Sequence, residues 1–141
     1  MATTLPARRT LHPVPAVLLA CSLSLFLGAW LSDWTYADSY YVQWINYAAW
    51  LNAGGMVFLG FATLWAFVDI FRKDVARDRG SALFVLILLV AFILGLIAAF
   101  VHTKDTNAPM PEALVLDVLV FLLVAAATWL GFSTIRSGVA R

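Results

Sequence analysis

The sequence lacks most of the side chains and motifs that enzyme and metal sites commonly use. A single cysteine, Cys21, excludes an intrachain disulfide and any paired-cysteine metal site. No glycine-rich phosphate loop, nucleophile elbow or HExxH sequence occurs, so the sequence does not predict an enzyme. Charged residues make up only 12% of the chain, and we expect no nucleic-acid partner, because the preference of basic residues for the cytoplasmic side of a membrane explains the basic segment 72–79.

Apolar residues, by contrast, are abundant. They make up 63% of the sequence, the mean hydropathy is +0.90, and four long apolar runs occupy residues 13–31, 47–71, 82–101 and 113–135. Each run is about as long as the ~20 apolar residues that a helix needs to cross the hydrocarbon core of a bilayer. A soluble domain of 141 residues could not bury this much apolar surface. The lipid bilayer is therefore the first partner that the sequence predicts.

The predicted fold is all-α, a polytopic membrane protein with one transmembrane domain at 13–135 and four helices. The helices are expected at about 13–31, 43–71, 82–102 and 112–135, between short tails at 1–12 and 136–141. Short connections favour an antiparallel, up-down-up-down four-helix bundle. Small residues that allow close helix packing lie on the second helix: Ala49, Ala53, Gly54, Gly55 and Gly60.

Basic residues are distributed unevenly among the predicted connections. Eight of the nine lie in the two tails and in the segment between the second and third runs, and Lys104 is the ninth. Positively charged connections stay on the cytoplasmic side, so both termini are expected in the cytoplasm. The predicted location is the cytoplasmic (inner) membrane of a bacterium.

Three aspartates lie within or at the ends of the apolar runs, where a charge is costly and marks a candidate functional residue. Asp117 lies inside the fourth helix and is expected to face the bundle interior or a water-filled pocket. Asp69 precedes Arg72 and Lys73 at helical spacing, which predicts a local ion pair. Asp33 closes the first run between two tryptophans and is expected to be solvated.

A polar cluster is predicted at one end of the bundle, where His102, Asp105, Glu112 and Asp117 could meet. Such a set of nitrogen and oxygen ligands suits a divalent metal ion, but its spacing matches no metal motif and leaves the metal unknown. Proton transfer is an alternative, because histidine titrates near neutrality. A third interpretation is a hydrogen-bonded cluster that closes the connection between the third and fourth helices.

Haem is a further candidate cofactor, because four-helix membrane bundles often hold it between two histidines. His12 and His102 are the only histidines. The expected topology places them at opposite ends of the bundle, a membrane thickness of ~30 Å apart. One haem cannot bridge that distance, so an intrachain bis-histidine haem is not expected, and no other cofactor is predicted.

Several short motifs recur in an order that is typical of one bacterial family. They are Leu-His-Pro at 11–13, Asp33, Trp-Leu-Asn-Ala-Gly-Gly at 50–55, Phe-Val-Asp at 67–69, His-Thr-Lys-Asp at 102–105 and Trp-Leu-Gly at 129–131. In this order the chain resembles the DUF2231 family of four-helix membrane proteins, whose function is unassigned.

The resemblance implies a four-helix inner-membrane protein and, because some members look to be associated with quinoprotein dehydrogenases, respiratory partners. It carries over these family-like polar positions: His12, Asp33, Asp69, His102 and Asp105. The family pattern has a small polar residue near Asp117, so a site at Asp117 would be private to this chain.

Three functional hypotheses follow. The first is a non-catalytic subunit or scaffold of a membrane assembly, such as a respiratory one, with the chain forming a homo-oligomer or joining other subunits. The second is a redox or metal-handling protein that uses the His102 cluster. The third is a small oligomeric transporter in which Asn46, Asn52 and Asp117 line a path.

Overall fold

The computed structural model describes residues 12–71, 79–104 and 109–139, with side chains for 12–71, 80–104 and 109–133. This part of the chain forms four helices, α1 (Pro13–Ser39), α2 (Val42–Phe71), α3 (Arg79–Val101) and α4 (Glu112–Val139). Each helix contains a stretch that is long and apolar enough to cross a membrane. The prediction of an all-α chain with four apolar helices is therefore confirmed.

Helix α1 is longer than the apolar run from which it was predicted, ending at Ser39 rather than near residue 31. Polar residues in its last turns remain helical, and their hydroxyls donate to carbonyls one turn earlier, as Ser32 does to Gly28 (2.8 Å). The helix ends only where Tyr40 adopts the left-handed conformation (φ 53°) and its N–H donates to the Tyr36 carbonyl. The end of the apolar run at residue 31 therefore does not mark the end of α1.

The helices contact one another in a ring, α1 with α2, α2 with α3, α3 with α4, and α4 with α1. Contacts between the helices include a hydrogen bond and an aromatic pair. The Ser22 hydroxyl of α1 donates to the Gly55 carbonyl of α2 (3.2 Å), and the ring of Trp30 of α1 packs on Phe121 of α4 with centroids 5.4 Å apart.

The interior is apolar, and so is the outer surface. Fully buried side chains repeat at helical spacing, for example Leu19 and Phe26 of α1 and Val120 and Val124 of α4. Large apolar side chains are also widely exposed, up to 76% for Trp129. Such a surface is unsuited to water and suits the hydrocarbon of a bilayer.

The small residues predicted for packing mostly lie against side chains of this same chain. A Cβ added at Gly55 would lie 3.1–3.2 Å from the Phe26 ring, and one added at Gly60 would lie 3.3 Å from Phe92. At Gly54 the nearest atom, in Leu25, is 3.4 Å away. Of the two alanines in the set, Ala49 is half-buried and Ala53 is exposed.

Candidate functional site

Four polar side chains, one from each helix or from the residue directly after it, converge on a single buried site. Asp33 of α1, Asn52 of α2 and Asp117 of α4 are fully buried, and the side chain of His102, directly after α3, is 1% exposed. We call these residues the polar centre. Because each comes from a different helix or its immediate end, the centre exists only when the bundle is assembled.

The atoms of the polar centre are close enough to share one ligand. His102 Nε2 lies 3.2 Å from Asp33 Oδ1 and 3.9 Å from Asp117 Oδ2. One ligand atom from each of these three residues lies within 4.8 Å of the others. Asn52 Nδ2 donates to Asp117 Oδ1 at 2.9 Å, which turns the other carboxylate oxygen toward the imidazole.

The backbone of α3 fixes the orientation of the imidazole. His102 Nδ1 lies 2.8 Å from the Ala98 carbonyl oxygen, which can only accept, so Nδ1 carries a proton and donates. The other ring nitrogen, Nε2, therefore faces the two carboxylates. Burial lowers the pKa of His102, but the hydrogen bond to Asp33 and the charges of Asp33 and Asp117 raise it by more in sum, so the pKa lies above its usual value of 6.5.

The register of the buried helix faces explains how these side chains reach the interior. On α1, Asp33 follows Ser22, Phe26 and Ala29 at alternating spacings of four and three residues. On α4, Asp117 stands between Ala113 and Val120 in the same alternation of buried positions. Each aspartate thus occupies a position that a core residue would otherwise fill.

The polar centre holds more hydrogen-bond acceptors than donors. In the described part of the chain, four buried side-chain polar atoms have no hydrogen-bond partner, and three of them are Asp33 Oδ2, Asn52 Oδ1 and Asp117 Oδ2. When both carboxyl groups are ionised, a fully protonated imidazolium balances only one of them, and a proton or a bound cation must neutralise the other. A buried charge without a partner is costly, so this arrangement favours the addition of a cation.

The predicted cluster is only partly reproduced, because Glu112 does not join it. The Glu112 carboxylate accepts a hydrogen bond from Lys104 Nζ, and both side chains are exposed at the connection between α3 and α4. An exposed salt bridge satisfies Glu112 without entry into the core. Asp105 lies outside the described residues.

The expectation that Asp33 is solvated is wrong, because Asp33 is fully buried and contacts His102. The reason is the extension of α1 through Ser39, which places Asp33 inside a packed helix rather than at its end. Asn52, for which the sequence offered a transport path, is the second member that was not assigned to the cluster. The spacing of Asp33 from Ser22 and Phe26 could have indicated that Asp33 lies on the same buried face of α1.

His12 and Asp69 lie elsewhere. His12 caps α1, where its Nδ1 accepts from the Val14 N–H at 3.3 Å and its ring stacks on Trp65. Asp69 lines an apolar groove with Val14 and Trp65, and the partners expected for it, Arg72 and Lys73, lie outside the described residues.

The separation of the two histidines follows from helix geometry. At 1.5 Å per residue, His12 lies about 30 Å along α1 from Asp33, the residue that contacts His102. The two imidazoles therefore cannot ligate one haem.

None of the protein-family models, curated proteins or solved structures compared with this chain matches it. The resemblance to the DUF2231 family accordingly stays a prediction.

Proposed function

We propose that this chain is a metal-handling membrane protein that binds one divalent cation in the polar centre. The observation that carries the proposal is the convergence of Asp33, His102 and Asp117, fully or almost fully buried, with oxygen atoms that have no hydrogen-bond donor. Polar groups within a membrane bundle are costly to keep, and such residues usually mark ion or proton pathways.

The charge of the centre favours a divalent ion over a hydrogen-bonded cluster. A cluster that only closed the connection between α3 and α4 would have its donors and acceptors matched, as the exposed pair of Lys104 and Glu112 has. When both are ionised, the two buried carboxyl groups instead carry a formal charge of −2, which a divalent cation neutralises while the imidazole supplies a neutral nitrogen ligand.

The proposed setting is the cytoplasmic membrane of a bacterium, with the four helices in up-down-up-down order and both termini in the cytoplasm. The distribution of basic residues supports this orientation. It places the polar centre near the outer ends of the helices, where an ion would arrive from outside the cell.

The scaffold hypothesis has less support than metal handling. Among the small residues predicted for helix packing, Gly54, Gly55 and Gly60 lie against side chains of their own chain and so do not indicate a surface for another subunit. The transporter hypothesis loses one of its lining residues, because Asn46 is exposed on the outside of α2 whereas Asn52 is buried.

Metal content of the purified protein tests the proposal. Protein in lipid nanodiscs is stripped with a chelator, dialysed against micromolar Zn²⁺ and analysed by elemental mass spectrometry, with one ion per chain expected. Asp33→Asn and Asp117→Asn should each weaken binding at least about tenfold, since each removes a charged ligand.

The chain offers a matched control for each variant. Asp38→Asn removes an exposed carboxylate from α1, and Glu112→Gln removes one from α4. Both controls should bind as the unaltered protein does. Equal losses in controls and centre variants, or no stoichiometric ion in the unaltered protein, would contradict the proposal.

A further inference from the structure

The kind of ion is constrained by the number and type of ligands that the polar centre supplies. In the part of the chain that the structure describes, one nitrogen and carboxylate oxygens from two aspartates approach one another within 4.8 Å. Ca²⁺ takes about 6–8 oxygen ligands, and Mg²⁺ demands octahedral geometry and retains several waters. The centre supplies too few ligands for either, because both ions would need several water molecules beside two carboxylates that are 0% exposed.

The distances suit a four-coordinate ion. Zn²⁺ lies about 2.0–2.2 Å from nitrogen and oxygen ligands, so the ligands of a tetrahedral site are roughly 3.4 Å from one another. His102 Nε2 is 3.2 Å from Asp33 Oδ1 and 3.9 Å from Asp117 Oδ2, values that bracket this separation. The two carboxylate oxygens lie within 4.8 Å of each other, so a closer approach of the side chains would bring the three atoms around one ion.

The imidazole is already arranged as a metal ligand. A metal-bound histidine almost always donates its other ring N–H to a carbonyl or carboxylate, which fixes the tautomer. His102 does so through Nδ1 and the Ala98 carbonyl at 2.8 Å. Nε2 faces the two carboxylates, so a proton on Nε2 or a metal ion in its place offsets the repulsion between its lone pair and the carboxylate oxygens.

Asn52 fits the role of a positioning residue. Its Nδ2 donates to Asp117 Oδ1 at 2.9 Å and leaves Asp117 Oδ2 without a hydrogen-bond partner beside His102. Metal-ligating carboxylates are usually held by such an outer hydrogen bond.

We propose that the polar centre is a site for a first-row transition ion of the Zn²⁺ type, held by His102 Nε2 and by one carboxylate oxygen each from Asp33 and Asp117, with a fourth position left open. Imidazole nitrogen distinguishes this class from Mg²⁺ and Ca²⁺, which prefer oxygen. Three protein ligands and an open position are typical of zinc sites that exchange a water or another small ligand. The inference rests on the proposed metal-handling function and adds the class of ion and its ligands.

The test compares ions on chelator-treated protein in nanodiscs. Zn²⁺, Mg²⁺ and Ca²⁺ are titrated separately by calorimetry, and Co²⁺ is added as a coloured substitute for Zn²⁺. Zn²⁺ should bind one per chain and at least about 100-fold more tightly than Mg²⁺ or Ca²⁺. Co²⁺ should give the intense visible absorption of a four-coordinate ion rather than the weak absorption of a six-coordinate one. The Co²⁺ spectrum needs no variant, so it stays informative if a substitution impairs folding.

Variants then identify the nitrogen ligand. His102→Gln should lower Zn²⁺ affinity by more than the roughly 10–100-fold typical for the loss of an outer hydrogen-bond partner. His12→Gln, which changes an exposed histidine on the same chain, should leave Zn²⁺ affinity unchanged.

Each contrary result has a distinct meaning. Binding of Mg²⁺ or Ca²⁺ as tightly as Zn²⁺ would overturn the inference on ion class and leave the proposed function standing. A weak, six-coordinate Co²⁺ spectrum, or equal losses in His12→Gln and His102→Gln, would overturn the assigned ligands. Failure of all these ions to bind would contradict both the inference and the proposed function.

Discussion

The two ends of the bundle each carry a histidine and an aspartate but use them differently. At the start of α1, His12 is exposed, accepts from the Val14 N–H and stacks on Trp65 with ring centroids 5.2 Å apart. At the other end, the side chain of His102 is 1% exposed and lies between two buried carboxylates. The same residue type therefore serves as a helix cap in one place and as a candidate ligand in the other.

Burial and charge account for this difference. His12 has partners that need no added charge, a backbone N–H and an aromatic ring. His102 faces Asp33 and Asp117, which, when both are ionised, carry more negative charge than the single positive charge of an imidazolium. A functional centre is thus distinguished by an unbalanced set of buried groups rather than by the presence of histidine.

The largest expected effect comes from removing each histidine in turn. In chelator-treated protein, His102→Ala should lower the free energy of unfolding by about 3–5 kcal/mol, because it leaves two buried carboxylates facing each other without a counter-charge. His12→Ala should cost only about 1 kcal/mol, the usual value of a helix cap. Reversible unfolding in mixed micelles measures both. Similar costs for the two variants would mean that the ends do not differ as described.

The next effect concerns the two asparagines of α2. Asn52→Ala should lower the free energy of unfolding by about 2–3 kcal/mol, because Asp117 Oδ1 loses its donor in the bundle interior. Asn46→Ala, on the exposed side of the same helix, should stay within about 0.5 kcal/mol of the unaltered protein. The same unfolding assay applies, and a large cost at Asn46 would show that its side chain has a role that exposure does not indicate.

Much of the fold could be predicted from the sequence because the bilayer requires it. Each spanning helix must be about 20 apolar residues long, so hydrophobic runs locate the helices well. The same reasoning placed the end of α1 too early. The hydroxyls of Ser32, Thr35 and Ser39 donate to carbonyls one turn earlier in the helix, so these polar residues need no change of conformation.

Membership of the polar centre was harder to predict. In a membrane bundle the lipid-facing residues are as apolar as the core, so hydrophobic periodicity does not identify the buried face of a helix. Asp117 could be singled out because it lies deep in an apolar run. The partners of Glu112 and Asn52 could not be predicted without the register between helices. That register decides that Glu112 reaches Lys104 and that Asn52 reaches Asp117.

The smallest effect should come from Gly55, which lies between the two ends where α1 and α2 cross closely. A methyl group there would approach the Phe26 ring to 3.1–3.2 Å, and Phe26 is fully buried and cannot move aside freely. Gly55→Ala should therefore push the helices apart and cost about 1–2 kcal/mol of unfolding free energy. Gly54→Ala is the control, because its new methyl would meet Leu25 at 3.4 Å, an ordinary contact.

The same pair of variants sharpens the contrast between the ends. A stack such as that of His12 on Trp65 tolerates a shift of a few tenths of an ångström, whereas a metal site depends on ligand positions. Gly55→Ala should therefore weaken Zn²⁺ binding at the polar centre by more than Gly54→Ala does, as measured by calorimetry. If Gly55→Ala lowered stability without changing Zn²⁺ affinity, the geometry of the centre would not depend on the spacing of α1 and α2. The ligands of α1, α3 and α4 would then be held in place without α2, which argues against a positioning role for Asn52.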